Sequence, residues 1–275
     1  MHIDSFFAIS NSDFEDAEYV IFGIPFDGTQ SFKSGSRFAP TAIREASWNM
    51  EDYSVYFDLS FDEVKVCDAG NINVDGSVEE VMGKVTKFFR KIKAVPVAIG
   101  GEHSISYMVV RNMSNFCYLV FDAHFDLRDS FDGNPYNHAC NTRRIQELGV
   151  DIIQVGVRSG TREERTFAEE KGIEVFYSWQ ILENGVDDVI DALEDYRNIY
   201  LSIDIDAFDP SFAPGVSTPE PFGLHPIHLL KVIEEIGGRI IGFDVVEVIP
   251  DSEKITQSLA AKLICEVIAA RSVSP

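Results

Sequence analysis

Short apolar runs with no polar face, separated by longer stretches of helical periodicity, limit what this chain can fold into. Cys117-Tyr118-Leu119-Val120-Phe121 is one such run. A strand with one wet face alternates polar and apolar residues. A continuous run belongs to a strand covered on both faces, as in a parallel sheet between layers of helix. Strands are expected at Tyr19–Phe26, Val64–Asp68, Val95–Ile99, Phe116–Phe121, Asp151–Val157, Ile173–Phe176, Ile199–Ile203 and Arg239–Val245. Helices are expected at Pro40–Asn49, Ser77–Lys91, Ser104–Asn112, Thr161–Lys171, Val186–Tyr196, Pro226–Ile236 and Thr256–Ala270. Pro40 and Pro226 stand where a helix can begin. The alternation gives an α/β fold. Eight strands suit an open sheet or a closed barrel, and the pattern alone does not separate them. No linker, charge block, repeat or low-complexity segment divides the 275 residues, so one domain over residues 1–275 is expected.

Charge and cysteine usage exclude several classes. The chain has 45 acidic and 23 basic side chains, a formal charge of −22. Such a surface repels a phosphate backbone, so no nucleic-acid partner is expected, and it mildly attracts a small cation. Cys67, Cys117, Cys140 and Cys265 lie far apart with no Cys-x-x-Cys pair, which is neither a disulfide framework nor a thiolate zinc site. No run of eighteen apolar residues is present, so no membrane span is expected. The segment Met1–Phe14 has Asp4 and Asp13 but no Lys or Arg, unlike a secretory signal. The expected location is the cytoplasm.

Three strand ends carry groups of ligand type. Asp122-Ala123-His124-Phe125-Asp126 follows the apolar run Cys117–Phe121. In extended chain its alternate side chains share a face. A single Asp there would be an ordinary helix cap, but three desolvated polar groups on one face need a partner. Asp204 and Asp206 end a second apolar strand, and two such carboxylates repel unless a proton or cation lies between them. His103, in Gly100-Gly101-Glu102-His103-Ser104, follows a third strand and opens a helix. Two imidazoles and four carboxylates are too many for one ion. Two cations with bridging carboxylates would satisfy all six, and oxygen-rich ligation with two His and no Cys favours Mn²⁺. The stretches Leu127–Asn137 and Ala207–His225 are the longest irregular ones, and each follows one of these Asp-rich strand ends.

These segments resemble the ureohydrolase family of arginases and agmatinases, and the agmatinases in particular. The likeness is carried by Gly100–Ser104, by Asp122-Ala123-His124-Phe125-Asp126-Leu127-Arg128-Asp129, by Ser202–Pro210 and by Gly215-Val216-Ser217-Thr218-Pro219-Glu220-Pro221. Gly23–Asp27, Gly35–Pro40 and Asp244-Val245-Val246-Glu247 also match, so it runs over nearly the whole chain. It implies a three-layer α/β/α fold around a central, mostly parallel eight-stranded sheet, with two Mn²⁺ per chain. Asp122 and Asp204 would bridge the ions, with His103 and Asp126 completing one shell and His124 and Asp206 the other. Asp126 would also orient the hydroxide between them, His138 would shuttle a proton, and Glu247 would grip the substrate guanidinium. The implied reaction is hydroxide attack on a guanidino carbon, releasing urea and an amine. A homo-oligomer, trimer or hexamer, is implied as well. Ile249 and Phe222 depart from the family pattern near the expected pocket.

Agmatine, giving putrescine, is the expected substrate. Asp129 and Asp132 in the Leu127–Asn137 loop would meet an amine more readily than a carboxylate, although Arg128 counts against this. Aminopropyl-agmatine, arginine and guanidinobutyrate are the alternatives. Two further classes are a deacetylase with one zinc, for which six ligands are in excess, and a non-catalytic binding protein on the same scaffold.

Overall fold

Strands that are apolar at every position can be buried only if helices cover both faces of their sheet, and the computed structural model has that architecture. It describes residues 6–274, so the first five residues of the N-terminal segment lie outside it. The strands are β1 (Tyr19–Ile24), β2 (Tyr53–Ser54), β3 (Leu59–Ser60), β4 (Val66–Asn71), β5 (Val95–Gly100), β6 (Cys117–Phe121), β7 (Asp151–Val157), β8 (Glu174–Tyr177), β9 (Ile199–Asp204) and β10 (Ile240–Val246). Eight of them form one sheet in the order β4-β1-β5-β10-β9-β6-β7-β8, and every pairing in it is parallel. β4 and β8 are free edges, so the sheet is open and the barrel is excluded. The pair β2–β3 is a separate antiparallel hairpin.

The helices are α1 (Ala39–Ser47), α2 (Val78–Phe89), α3 (Ser104–Val110), α4 (Asn141–Gln146), α5 (Arg162–Lys171), α6 (Ser178–Asn184), α7 (Asp187–Ala192), α8 (Pro226–Ile236) and α9 (Ile255–Val273). Their starts follow the local chemistry. Ser77 with Glu80, and Thr161 with Glu164, form reciprocal capping boxes at α2 and α5, and α1 and α8 have Pro in the first turn. Side chains along each strand alternate between two cores. Tyr19 and Ile21 of β1 join the core under α1, α8 and α9, while Val20, Phe22 and Ile24 join the core under α2 and α3.

The path of the chain positions the site. It runs outward from β1 to β4, returns to β5, and crosses to the other edge through β6, β7 and β8. Only then do β9 and β10 fill the gap between β5 and β6. The four central strands thus come from three separate passes, and their carboxyl ends face one crevice. Ligands bind at such a reversal of strand order in open α/β sheets.

Candidate metal centre

His103 reaches the crevice because the chain after β5 passes very close to the end of β1. A Cβ at Gly101 would sit 1.8 Å from the Phe26 carbonyl oxygen, so only glycine fits there. His103 is the residue before α3 and is fully buried. Its Nε2 lies 3.2 Å from Ser202 Oγ, which donates to Asp244 Oδ1 at 2.7 Å; Tyr200 donates to the other oxygen of Asp244 at 2.8 Å. This relay fixes the ring with Nδ1 facing the crevice.

The Asp and His groups after β6 and β9 do converge, but not by strand alternation. Asp122 Oδ1 accepts the His124 backbone N–H at 2.7 Å, which turns the chain, and Asp126 has a left-handed φ of 51°. Asp206 lies in a 3₁₀ turn at Ile205–Ala207, and its own N–H is held by Asp204 Oδ1 at 2.9 Å. The carboxylates that face the crevice also shape the turns that present them.

Two ligand groups result. In the first, His103 Nδ1 lies 3.1 Å from Asp122 Oδ2, 3.1 Å from Asp126 Oδ2 and 3.2 Å from Asp204 Oδ2. In the second, His124 Nδ1 lies 3.2 Å from Asp206 Oδ2 and 3.5 Å from Asp122 Oδ1. Within the sets His103–Asp122–Asp204 and Asp122–His124–Asp206, one ligand atom per residue lies within 4.8 Å of the others. Asp122 belongs to both sets, and Asp204 meets only the first.

The donor set fits divalent cations. An imidazole Nδ1 carries at most one proton, yet three buried carboxylates surround that of His103. Among the described residues neither His103 Nδ1 nor Asp122 Oδ2 has a hydrogen-bond partner. Buried polar atoms left without partners in a native fold call for an ion or water. The carboxylates cannot all ionise without one. Burial, then the neighbouring Asp122, pushes Asp126 up to about 6. Burial, then Asp206 and Asp122, holds Asp204 well above the usual carboxylate range. Asp122 goes the other way, because His103 and His124 outweigh its burial. A mixed imidazole–carboxylate set with no thiolate suits a divalent metal ion rather than a soft, thiolate-bound one.

Around this cluster stand the other expected residues. Glu247 follows β10 with a left-handed φ of 64° and is buried. Its Oε1 accepts the His103 N–H at 2.8 Å, and its Oε2 accepts Gln30 Nε2 at 2.6 Å and Ser217 Oγ at 2.8 Å. His138 opens a 3₁₀ turn at His138–Cys140, and its Nε2 lies 3.1 Å from Ser31 Oγ.

The loop that carries Gln30 and Ser31 is a feature that strand and helix patterns do not reveal. It is anchored through Thr29, whose N–H and hydroxyl donate to Glu102 at 2.8 and 2.5 Å. Thr29 Oγ1 also accepts the His138 N–H at 3.0 Å. Burial pushes Glu102 up to about 7 despite these donors and Ser104. A second unread group is Arg158. It donates to the carbonyls of Asp206 at 2.7 Å, Glu220 at 2.8 Å, Ala207 at 3.1 Å and Gly156 at 3.0 Å. It thereby staples the Asp206 turn to the loop bearing Glu220, whose Oε1 is 3.8 Å from His124 Nε2. Both signals are hard to read, because a lone Thr or Arg in a loop has many ordinary uses.

Three details bear on the substrate side of the site. Phe222 is 80% exposed, with φ 66°, and its left-handed backbone is the kind that favours glycine. Ile249 is partly buried, and a Cβ on Gly35 would lie 3.3 Å from it, so it supports the loop that carries Gln30. Asp129 is engaged by Arg144 at 3.1 Å and by Arg143 at 3.8 Å, which weakens it as a site for a substrate amine.

Known proteins bear out the kinship. The arginase family matches residues 17–270. An agmatinase from Pyrococcus horikoshii is 40% identical over 93% of this chain and 93% of its own. An N(1)-aminopropylagmatine ureohydrolase from Thermococcus kodakarensis is 41% identical over 91% of this chain and 89% of its own. The crystal structure of an agmatine ureohydrolase from Thermoplasma volcanium superposes with a TM-score of 0.93 at 36% identity, covering 99% of this chain and 96% of that one. Likeness that spans sequence and fold from end to end leaves one assignment, and the chain belongs to the arginase family as a ureohydrolase.

Proposed function

We propose that the protein is a binuclear manganese enzyme that hydrolyses the guanidino group of agmatine to urea and putrescine. The observation that carries this reading is Asp122, which faces one imidazole through each of its oxygens. A carboxylate so placed is suited to bridge two ions. Asp122 and Asp204 would be shared by the two ions, with His103 and Asp126 completing one shell and His124 and Asp206 the other. When bound, the pair supplies Lewis-acid chemistry that makes water a nucleophile near neutral pH.

The residues of the chain supply the rest. Glu247 receives the guanidinium, because a planar cation with fixed N–H donors matches a buried carboxylate. Water adds to the guanidino carbon, and the bond from that carbon to the alkyl nitrogen breaks. The leaving amine takes a proton, either from the intermediate or from Asp126, whose carboxyl burial raises to about 6. His138, at the Ser31 side of the crevice, passes a proton between the site and solvent.

The choice of agmatine is supported by the name of the Pyrococcus relative, and the Thermococcus relative supports aminopropylagmatine as the second reading. A urea-release screen over agmatine, aminopropylagmatine, arginine and guanidinobutyrate with Mn²⁺ tests the choice, with agmatine expected to have the highest kcat/KM. Metal analysis is expected to give two manganese per chain; a single zinc would favour the amide-hydrolase reading. The same reading takes residues 1–275 as one catalytic domain that works in the cytoplasm as a trimer or hexamer. Among the described residues no helix is long and apolar enough to cross a membrane.

A further inference from the structure

Gln30 lies on the loop between β1 and α1, and its amide rests on Glu247. Gln30 Nε2 donates to Glu247 Oε2 at 2.6 Å. That oxygen also accepts Ser217 Oγ at 2.8 Å, and Oε1 accepts the His103 N–H at 2.8 Å. A carboxylate has about four lone-pair sites. The protein fills three of them, so the one left cannot take both N–H groups along the edge of a guanidinium.

The other end of the same amide is unsatisfied. Gln30 Oε1 is buried and has no hydrogen-bond donor among the described residues. The orientation of the amide is not arbitrary. An ionised carboxylate only accepts, so the nitrogen must face Glu247 and the oxygen must face elsewhere. A buried amide oxygen without a donor is destabilising, and an incoming N–H relieves it.

We propose that Gln30 is a substrate-contact residue that shares the guanidinium with Glu247, taking one N–H on its Oε1 while Glu247 takes another on its open site. This rests on the reading that Glu247 receives the guanidino group. It also gives the site a means of choosing which end of the substrate to admit. A guanidinium presents several N–H donors in one plane and can serve both acceptors, whereas an alkylammonium is a compact point charge with no such plane.

The test is calorimetric titration of methylguanidine, and separately of putrescine, into the manganese-loaded protein. Gln30→Met keeps the length of the side chain and removes both polar atoms. Methylguanidine affinity is expected to fall about 10- to 100-fold, the range for a hydrogen bond to a charged group. Putrescine, which has no guanidinium, is expected to change by less than twofold. KM for agmatine rises in step with the methylguanidine loss. Gln30→Ala, which truncates the side chain at the same position, is expected to act in the same direction. Unchanged methylguanidine affinity in both variants overturns the assignment. So does an equal loss for both ligands, which would mean that the loop has simply come loose. If the wild-type protein binds no methylguanidine, the Glu247 reading itself fails, and the role of Gln30 fails with it.

Discussion

Replacing Glu102 with Gln makes the support beneath the Thr29 loop measurable. The Glu102 carboxylate is fully buried and accepts three donors, the Thr29 N–H, the Thr29 hydroxyl and the Ser104 hydroxyl. Burial still dominates and raises it from an ordinary 4.5 to about 7. A carboxyl raised on folding binds more protons in the native state than in the unfolded state, so the native state is disfavoured as pH rises through the window from 4.5 to 7. One pKa unit corresponds to about 1.4 kcal/mol, so the full cost above pH 7 is about 3 kcal/mol. Little of it is present at pH 5. Gln does not titrate, so the variant escapes this term. It does lose hydrogen bonds, because an amide nitrogen must face one of the three donors, but that loss is independent of pH. The stability of Glu102→Gln relative to wild type should therefore improve by about 2 to 3 kcal/mol between pH 5 and pH 8. With an unfolding entropy of about 2 cal/mol/K per residue, that is roughly 4 to 5 °C in Tm. Calorimetric melts of both proteins at the two pH values, with chelator present throughout, give the difference of differences, in which every other titrating group cancels. A gap between variant and wild type that is the same at both pH values, or that widens toward pH 8, refutes the reasoning.

Other expectations follow from the same geometry. Asp122→Ala removes the oxygen facing each imidazole. The wild type should gain about 5 °C in Tm per bound ion at a hundredfold excess over Kd, and the variant should show almost none of that gain on addition of Mn²⁺. Glu247→Gln should raise KM for agmatine by about 100-fold or more, since a charge-assisted contact at a buried site is lost; a change below threefold would exclude Glu247 as the guanidinium site. Arg158→Met strips donors from the Asp206, Ala207 and Glu220 carbonyls and should cost about 3 kcal/mol or more in urea unfolding.

How much of this was legible beforehand depended on whether a signal was repeated. The central strands β1, β5, β6 and β9 announced themselves as apolar runs because both of their faces are covered, whereas the edge strand β8 is only partly buried. β6 and β9 also carry their Asp and His groups directly at their ends. The short helices α4 and α6 did not show, because six or seven residues hold too few apolar positions to set a period. α7 ended earlier than its pattern suggested for the same reason. Convergence of Asp122, His124 and Asp126 was foreseen on the assumption of extended chain, and it arises instead from side chains bonding their own turn. Gln30 and Arg158 were invisible because their meaning lies in partners more than forty residues away, which no local spacing encodes.

Asp126 and Glu247 share a backbone conformation that side chains other than glycine avoid, with φ of 51° and 64°. Each costs about 1 to 2 kcal/mol relative to an unhindered residue. Asp126→Gly and Glu247→Gly would relax that backbone while deleting a functional carboxylate. A selection for heat resistance alone would therefore drift toward inactive proteins at these two positions. Any thermostabilising screen on this scaffold needs urea release as a second filter from its first round.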